Sequence, residues 1–255
     1  MTDALSNRYA GLAARVYELD KPVGRSFGDV EFYAARLKGC DGPVLEPAVG
    51  SGRVLVPLLE AGFEVVGFDA SEAMLDLCRA ACARRDLTAD LSVARFDDFA
   101  YATRFAAAIV PAGSFQLIAT AQEGLAVLRR LHDHLAPGGR LILDLDPVSA
   151  VLAPPGPTRR WTDADGEVLT LTEERVDSDL LNQSVVSHLR YDQWTDGRLT
   201  ASELELFALR WWGVEEMRLA LTAAGFADIT VSGGYEHGRP PRRDDEVITF
   251  EATRL

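Results

Sequence analysis

Glu46 and Asp69 are the residues whose type and position most directly imply chemistry. Each closes a short apolar run that reads as a strand, Pro43-Val44-Leu45-Glu46 and Phe63-Glu64-Val65-Val66-Gly67-Phe68-Asp69. Between them lies Glu46-Pro47-Ala48-Val49-Gly50-Ser51-Gly52-Arg53, a turn of small residues that opens a helix predicted from Arg53 to Ala61. Small residues let the backbone approach a ligand closely, and a helix N-terminus offers unpaired N–H groups. A carboxylate two residues before that turn repels a pyrophosphate but suits a ligand carrying positive charge. A carboxylate at the end of the second strand accepts hydrogen bonds from both hydroxyls of a ribose.

Two common nucleotide motifs are absent. A dinucleotide fingerprint needs a third glycine, and counting from Gly50 and Gly52 the position holds Leu55. Counting from Ala48 it holds Arg53. A phosphate-cradling loop needs lysine followed by serine or threonine, and none follows the turn. A nicotinamide-dependent oxidoreductase is therefore disfavoured.

Strand-like and helix-like segments alternate from about residue 43 to residue 146, as in βαβ units. Ser71 is placed to cap a helix from Glu72 to Arg84. Leu91 to Arg95, Ala106 to Val110 and Arg140 to Asp144 supply further strands, and a helix from Gln122 to Leu135 stops at Ala136-Pro137-Gly138-Gly139. After Ala153-Pro154-Pro155-Gly156-Pro157 the pattern changes to three alternating segments, Glu167 to Val176, Ser184 to Trp194 and Leu199 to Trp211, separated by turn residues. A helix from Val214 to Ala224 and strands from Phe226 and Glu246 follow. The expected fold class is α/β: a Rossmann-like, mainly parallel seven-stranded sheet with helices on both faces, plus an inserted antiparallel β cap. The expected division is an N-terminal helical lid over 1–40, a main domain over 41–147 and 213–255, and the cap over 148–212.

These ordered motifs resemble those of class I S-adenosylmethionine (SAM)-dependent methyltransferases of the bacterial small-molecule type. The resemblance rests on Leu45-Glu46-Pro47-Ala48, Gly50-Ser51-Gly52-Arg53, Gly67-Phe68-Asp69-Ala70-Ser71, Met74-Leu75 and Leu135 to Leu143, and covers roughly residues 9 to 147. It implies SAM as cofactor, with Glu46, Pro47, Ala48 and Gly50 along its methionine part and Asp69 on the ribose. Ala70 and Met74 would pack on ribose and adenine, with Phe96 and Asp97 beside the adenine. Pro111 and Ala112 would face the sulfonium, while Tyr17 and Tyr33 match tyrosines that reach SAM from N-terminal helices. Two positions depart from the usual pattern: Ala48 replaces a glycine, and Arg95-Phe96 stands where Asp-Met is common.

The implied activity is methyl transfer to a small-molecule oxygen or nitrogen; the alternative is a SAM-fold protein that binds the cofactor without transferring methyl. Displacement at a sulfonium methyl depends mainly on positioning, and a base is needed only when the acceptor must lose a proton early. Of the four histidines, His188 lies in an alternating strand of the cap and is the candidate base. His132 and His134 are expected on a solvated helix face. No histidine follows the fourth strand, which holds Ser114, Phe115 and Gln116 instead. Ser114, Arg175, Tyr191 and Arg210 are the candidate substrate contacts, a set suited to a planar or anionic molecule.

The net charge of −13 disfavours a nucleic-acid partner. No apolar run reaches the ~20 residues of a membrane span, and the N-terminus lacks the pattern of a secretory signal. Cys40, Cys78 and Cys82 have no metal-ligand partners at useful spacing and read as reduced thiols. The expectation is thus a cytoplasmic monomer or homodimer without a metal.

Overall fold

The computed structural model describes residues 7–255. Helices α1 (Leu12–Asp20) and α2 (Asp29–Leu37) precede an alternating series. That series is β1 (Val44–Pro47), α3 (Leu55–Glu60), β2 (Val65–Asp69), α4 (Glu72–Ala83), β3 (Asp90–Val93), β4 (Phe105–Val110), α5 (Ala121–His134) and β5 (Leu135–Leu145). A short α6 (Val148–Val151) leads into β6 (Arg159–Thr162), β7 (Val168–Asp179), β8 (Ser184–Thr195) and β9 (Arg198–Arg210). Helix α7 (Val214–Ala223) and strands β10 (Phe226–Gly233) and β11 (Ile248–Arg254) complete the chain.

The main sheet has seven strands in the order β10-β11-β5-β4-β1-β2-β3, with β1 to β5 parallel and β11 antiparallel to both neighbours. The inner parallel strands β1, β2, β4 and β5 are buried on both faces by two apolar clusters, and β3 forms the exposed edge. One, around Phe68, Phe99, Leu128 and Phe250, packs under α5 and α7; the other, around Leu37, Leu55, Leu75 and Ile109, packs under α2, α3 and α4. Local signals fix the helix starts. The Ser71 hydroxyl accepts from the Met74 amide at α4, and Thr120 and Glu123 form a reciprocal capping box at α5.

The antiparallel insertion is a second sheet of four strands, β6-β7-β8-β9, so the expected three-strand meander is corrected by one. Strand β6 escapes detection because Arg159-Arg160-Trp161-Thr162 is short and has no apolar alternation. Two boundaries also shift. Helix α3 begins at Leu55 because Gly52 to Val54 are still in the turn. Strand β5 begins at Leu135, before the Pro137-Gly138-Gly139 segment, and Leu135 pairs with Phe105.

Trp211 and Trp212, adjacent just after β9, are both buried, in different places. Trp211 packs with Val151 and Val185 beneath the small sheet, and Trp212 enters the main core beside Phe115. There the Trp212 ring lies against Gly124 of α5, where a Cβ would stand 2.5 Å from the ring. Ala is the better helix former by about 1 kcal/mol. Overpacking against a buried ring costs roughly 1–3 kcal/mol. Gly124→Ala is therefore expected to destabilise the protein in chemical denaturation despite its gain in helix propensity; an unchanged or raised midpoint would refute this packing argument.

Candidate functional site

The C-terminal ends of β1, β2, β4 and β5 meet where the strand order reverses between β1 and β4, the place where open α/β sheets bind ligands. The turn after β1 folds tightly: Ala48 takes a left-handed φ of 52° and Gly50 a φ of 58°. Glu46 is buried, and its Oε2 has no hydrogen-bond partner. Burial raises its pKa well above the usual carboxylate value, with Arg53 acting in the opposite sense. Asp69 is oriented by main-chain donors: Gly50 N–H donates to Oδ2 at 2.9 Å and Ser71 N–H to Oδ1 at 2.8 Å. Burial raises Asp69 too, against those two donors. Met74 is buried beneath the turn, its Cε 3.3 Å from where a Gly50 Cβ would stand.

The N-terminal segment closes over this turn. The Arg53 guanidinium and Asp29 form a buried ion pair, joining the start of α3 to the start of α2. Burial alone would raise Asp29, but the hydrogen bonds and charge of Arg53 hold it below its ordinary value. The Tyr17 and Tyr9 rings meet edge to face at 5.8 Å. The Ser71 hydroxyl donates to the Tyr9 carbonyl at 2.8 Å. From the other side, Glu205 accepts from Tyr9 N–H and Glu203 from Leu12 N–H. Residues 9–12 thus bridge the main sheet and β9.

On the β4–β5 side, Asp144 is fully enclosed. Its Oδ1 accepts from Gly113 N–H at 2.8 Å, and its Oδ2 from Tyr235 and Tyr33 hydroxyls at 2.8 and 3.1 Å. Burial pushes its pKa up to about 6 despite these donors. The anchored segment is strained, since Ala112 also has a left-handed φ, 57°.

The expected cofactor residues Glu46, Pro47, Ala48, Gly50, Asp69 and Met74 converge on the β1–β2 edge, with Tyr17 above them. Pro111 and Ala112 lie at the end of β4, and Ala112 is solvent-exposed. Ala70 is exposed just past β2, and the Phe96 ring meets Phe68 edge to face. Asp97 is exposed and paired with Arg95. Tyr33 requires a correction: it is wholly buried and its hydroxyl is bonded to Asp144, so it acts on this edge through that carboxylate.

The expected acceptor residues fare less well. Val185, Ser187, Leu189 and Tyr191 form the buried face of β8, and alternation puts His188, the candidate base, on the opposite face. Arg210 is corrected: it is buried, ion-paired to Glu216 at 2.6 Å and laid over the Trp212 ring at 4.0 Å. Arg175 bonds Ser187 and the Val151 carbonyl, and the Ser114 hydroxyl caps the Pro111 carbonyl. Tyr191 does face inward, packed with Leu12 and Val16. His132 and His134 are half-buried rather than freely solvated: His134 accepts from Tyr101 N–H and lies against the Phe99 ring, while His132 meets Phe226 edge to face.

Tyr9, Asp29, Asp144, Asp146 and Tyr235 were missed. Asp144-Leu145-Asp146 carried a usable signal, as acidic residues at the end of a parallel strand. Tyr9, Asp29 and Tyr235 belong to segments without motifs. Among the described residues, no group of three or more metal-ligating side chains occurs, and no helix is long and apolar enough to cross a membrane.

A family model described as a methyltransferase domain matches residues 44–139. The cypemycin N-terminal methyltransferase of a Streptomyces species is 28% identical over 209 residues, 80% of each chain. The solved CcbJ methyltransferase of Streptomyces caelestis superposes with a TM-score of 0.76 at 22% identity, covering 99% of this chain and 98% of that one. The SAM-bound amino pentose methyltransferase CalS10 of Micromonospora echinaspora gives 0.70 at 21% identity, covering 98% and 99%.

Asp144 yields a pH test. Its proton is held to about pH 6 in the fold, whereas the ordinary value is 3.8. The raised pKa stabilises the fold below that ordinary value, and the benefit is lost as pH rises through about 6. The difference is on the order of 3 kcal/mol. Between pH 4 and 6.5, wild-type unfolding free energy should therefore fall relative to that of Asp144→Asn; parallel curves would count against the assignment.

Proposed function

We propose that this chain is a class I SAM-dependent methyltransferase that delivers its methyl group to the oxygen or nitrogen of a small molecule held between the ends of β4 and β5 and the four-stranded sheet. The observation that carries the reading is Glu46: a buried carboxylate with one oxygen unpartnered, at the end of β1. Leaving a buried charge unpaired is costly, and an ammonium group relieves it. Beside it, Gly50 holds the left-handed φ that closes the turn over Met74, and Asp69 is already aimed by two main-chain donors. These residues fit SAM in both charge and shape.

When bound, SAM supplies an electrophilic methyl on a sulfonium. Glu46 would hold the amino-acid ammonium, and Asp69 the ribose hydroxyls. Tyr17 and Tyr9 would exclude water from above the ribose, and Met74 would support the turn from below. Asp144, through Gly113 N–H, fixes the β4 turn against which an acceptor would be positioned. In this reading the N-terminal helices are the lid and β6 to β9 the acceptor cap; residues 1–6 of the expected lid lie outside the described residues. The same reading has the enzyme acting in the cytoplasm as monomer or homodimer, without nucleic acid.

Calorimetry with SAM and S-adenosylhomocysteine tests it. Both should bind at micromolar concentration. Asp69→Ala should weaken both roughly 10- to 100-fold, since hydrogen bonds to a charged group contribute about 1.5–3 kcal/mol. A thermal melt checks that the variant is folded. Absence of binding by wild type at high micromolar concentration would overturn the reading.

A further inference from the structure

Asp146 follows β5 by one residue and is the carboxylate of this edge that nothing has claimed. Its main chain is held on both sides by the buried Gln116 amide: Asp146 N–H donates to Gln116 Oε1 at 2.8 Å, and Gln116 Nε2 donates to the Asp146 carbonyl at 3.4 Å. Its side chain is therefore aimed by a rigid support. Asp146 Oδ2 stands 3.2 Å from where a Gly113 Cβ would lie, so the carboxylate rests directly on the β4 turn. Gln116 Oε1 stands still closer, 2.8 Å from the same point, so only glycine lets the turn, the amide and the carboxylate pack together.

Among the described residues, no donor lies within hydrogen-bonding or ion-pairing distance of the Asp146 carboxylate. The group is open to solvent, yet the protein around it raises its pKa by desolvation, with Lys21 pulling the other way. Asp146 is thus an exposed residue packed against the β4 turn, with its carboxylate unpartnered. Lys21, the residue after α1, exerts that pull from beyond ion-pair distance and is itself lowered by burial. The cations that act on Lys21 are engaged elsewhere: Arg53 with Asp29, and Arg159 of β6 with Asp20 at 2.7 Å. What the acceptor meets at the β4 turn is thus an aimed, unpaired carboxylate.

We propose that Asp146 receives the acceptor's nitrogen and that the acceptor is a primary or secondary amine; this rests on the methyltransferase reading above. As an ammonium, the acceptor is drawn to the carboxylate by a charge-assisted hydrogen bond. One N–H proton passes to Asp146 Oδ2 and on to water, freeing the nitrogen lone pair. The amine nitrogen then attacks the donor methyl. The N–C bond forms as the S–C bond breaks, its electron pair staying on sulfur, which becomes a neutral thioether. An alcohol of ordinary acidity gains little here, because a carboxylate is too weak a base to deprotonate it. The site thereby manages without a histidine after β4.

The test uses the full chain and matched amine and hydroxyl compounds on three frames: glucosamine and glucose, an alanine-initiated tripeptide and its lactic-acid counterpart, and phenethylamine and phenethyl alcohol. Two readouts are taken. One is S-adenosylhomocysteine formation with SAM; the other is calorimetric binding of each compound to protein loaded with S-adenosylhomocysteine. At least one amine should bind and be methylated while its hydroxyl partner is not. Asp146→Asn should lower kcat/KM for that amine at least 100-fold, with SAM affinity within twofold of wild type. Asp146→Glu should recover part of the loss. Turnover of a hydroxyl compound with its amine untouched, Asp146→Asn activity within threefold of wild type, or failure of every amine to bind at 10 mM would each overturn the proposal. If SAM binding persists in those cases, only this inference fails; if wild type binds no SAM, the underlying reading fails instead.

Discussion

Glu46, Asp69, Asp144 and Asp146 gather at one edge of one sheet, and taking carboxylates out of water is costly unless their charge is met. Much of the surrounding architecture answers that constraint. Main-chain N–H groups meet Asp69 and Asp144, tyrosine hydroxyls meet Asp144, and Arg53 lies near Glu46 while paired to Asp29. What is left unmet is Glu46 on one side of the β1–β4 junction and Asp146 on the other. A cleft with two unanswered carboxylates favours cationic guests. A sulfonium carrying an ammonium is one, and a protonated amine is another.

The same edge concentrates backbone strain. Ala48 after β1 and Ala112 after β4 both occupy the left-handed region that L-residues avoid, and both belong to turns pinned by a carboxylate. At the β1 turn the cost is accepted where glycine is the usual residue, which shows that backbone shape governs there more than residue identity. The carboxylates and the strained turns form one device, since each carboxylate holds a main-chain N–H in place.

The fold, and the meeting of Glu46, the small-residue turn and Asp69 at one sheet edge, were legible in the sequence because they depend on local patterns. Apolar strands ending in Glu46 and Asp69, the small-residue turn and the Ser71 cap act over a few residues. The acceptor half depends on contacts the sequence does not mark. His188 and Tyr191 differ by three places in one strand, and this odd separation alone decides that they face opposite ways. Arg210 looked free, but Glu216 and the Trp212 ring occupy it. Asp144 and Asp146 were in plain view at a strand end, yet only the structure gives one two tyrosine partners and the other none.

The bridge formed by residues 7–12 has a consequence for the order in which the protein assembles. The Asn7 amide pairs with both backbone groups of Ala208, and Glu203 and Glu205 receive the N–H groups of Leu12 and Tyr9, contacts spanning 191 to 201 residues of chain. The walls of the cradle, by contrast, lie within residues 44–69. During synthesis those walls emerge early, while the roof waits until β9 has been made. Long-range contacts of this kind pay loop-closure entropy before they return any stability, so they form late. In a nascent chain the residues of the β1–β2 edge are therefore present well before the contacts that close over them can form.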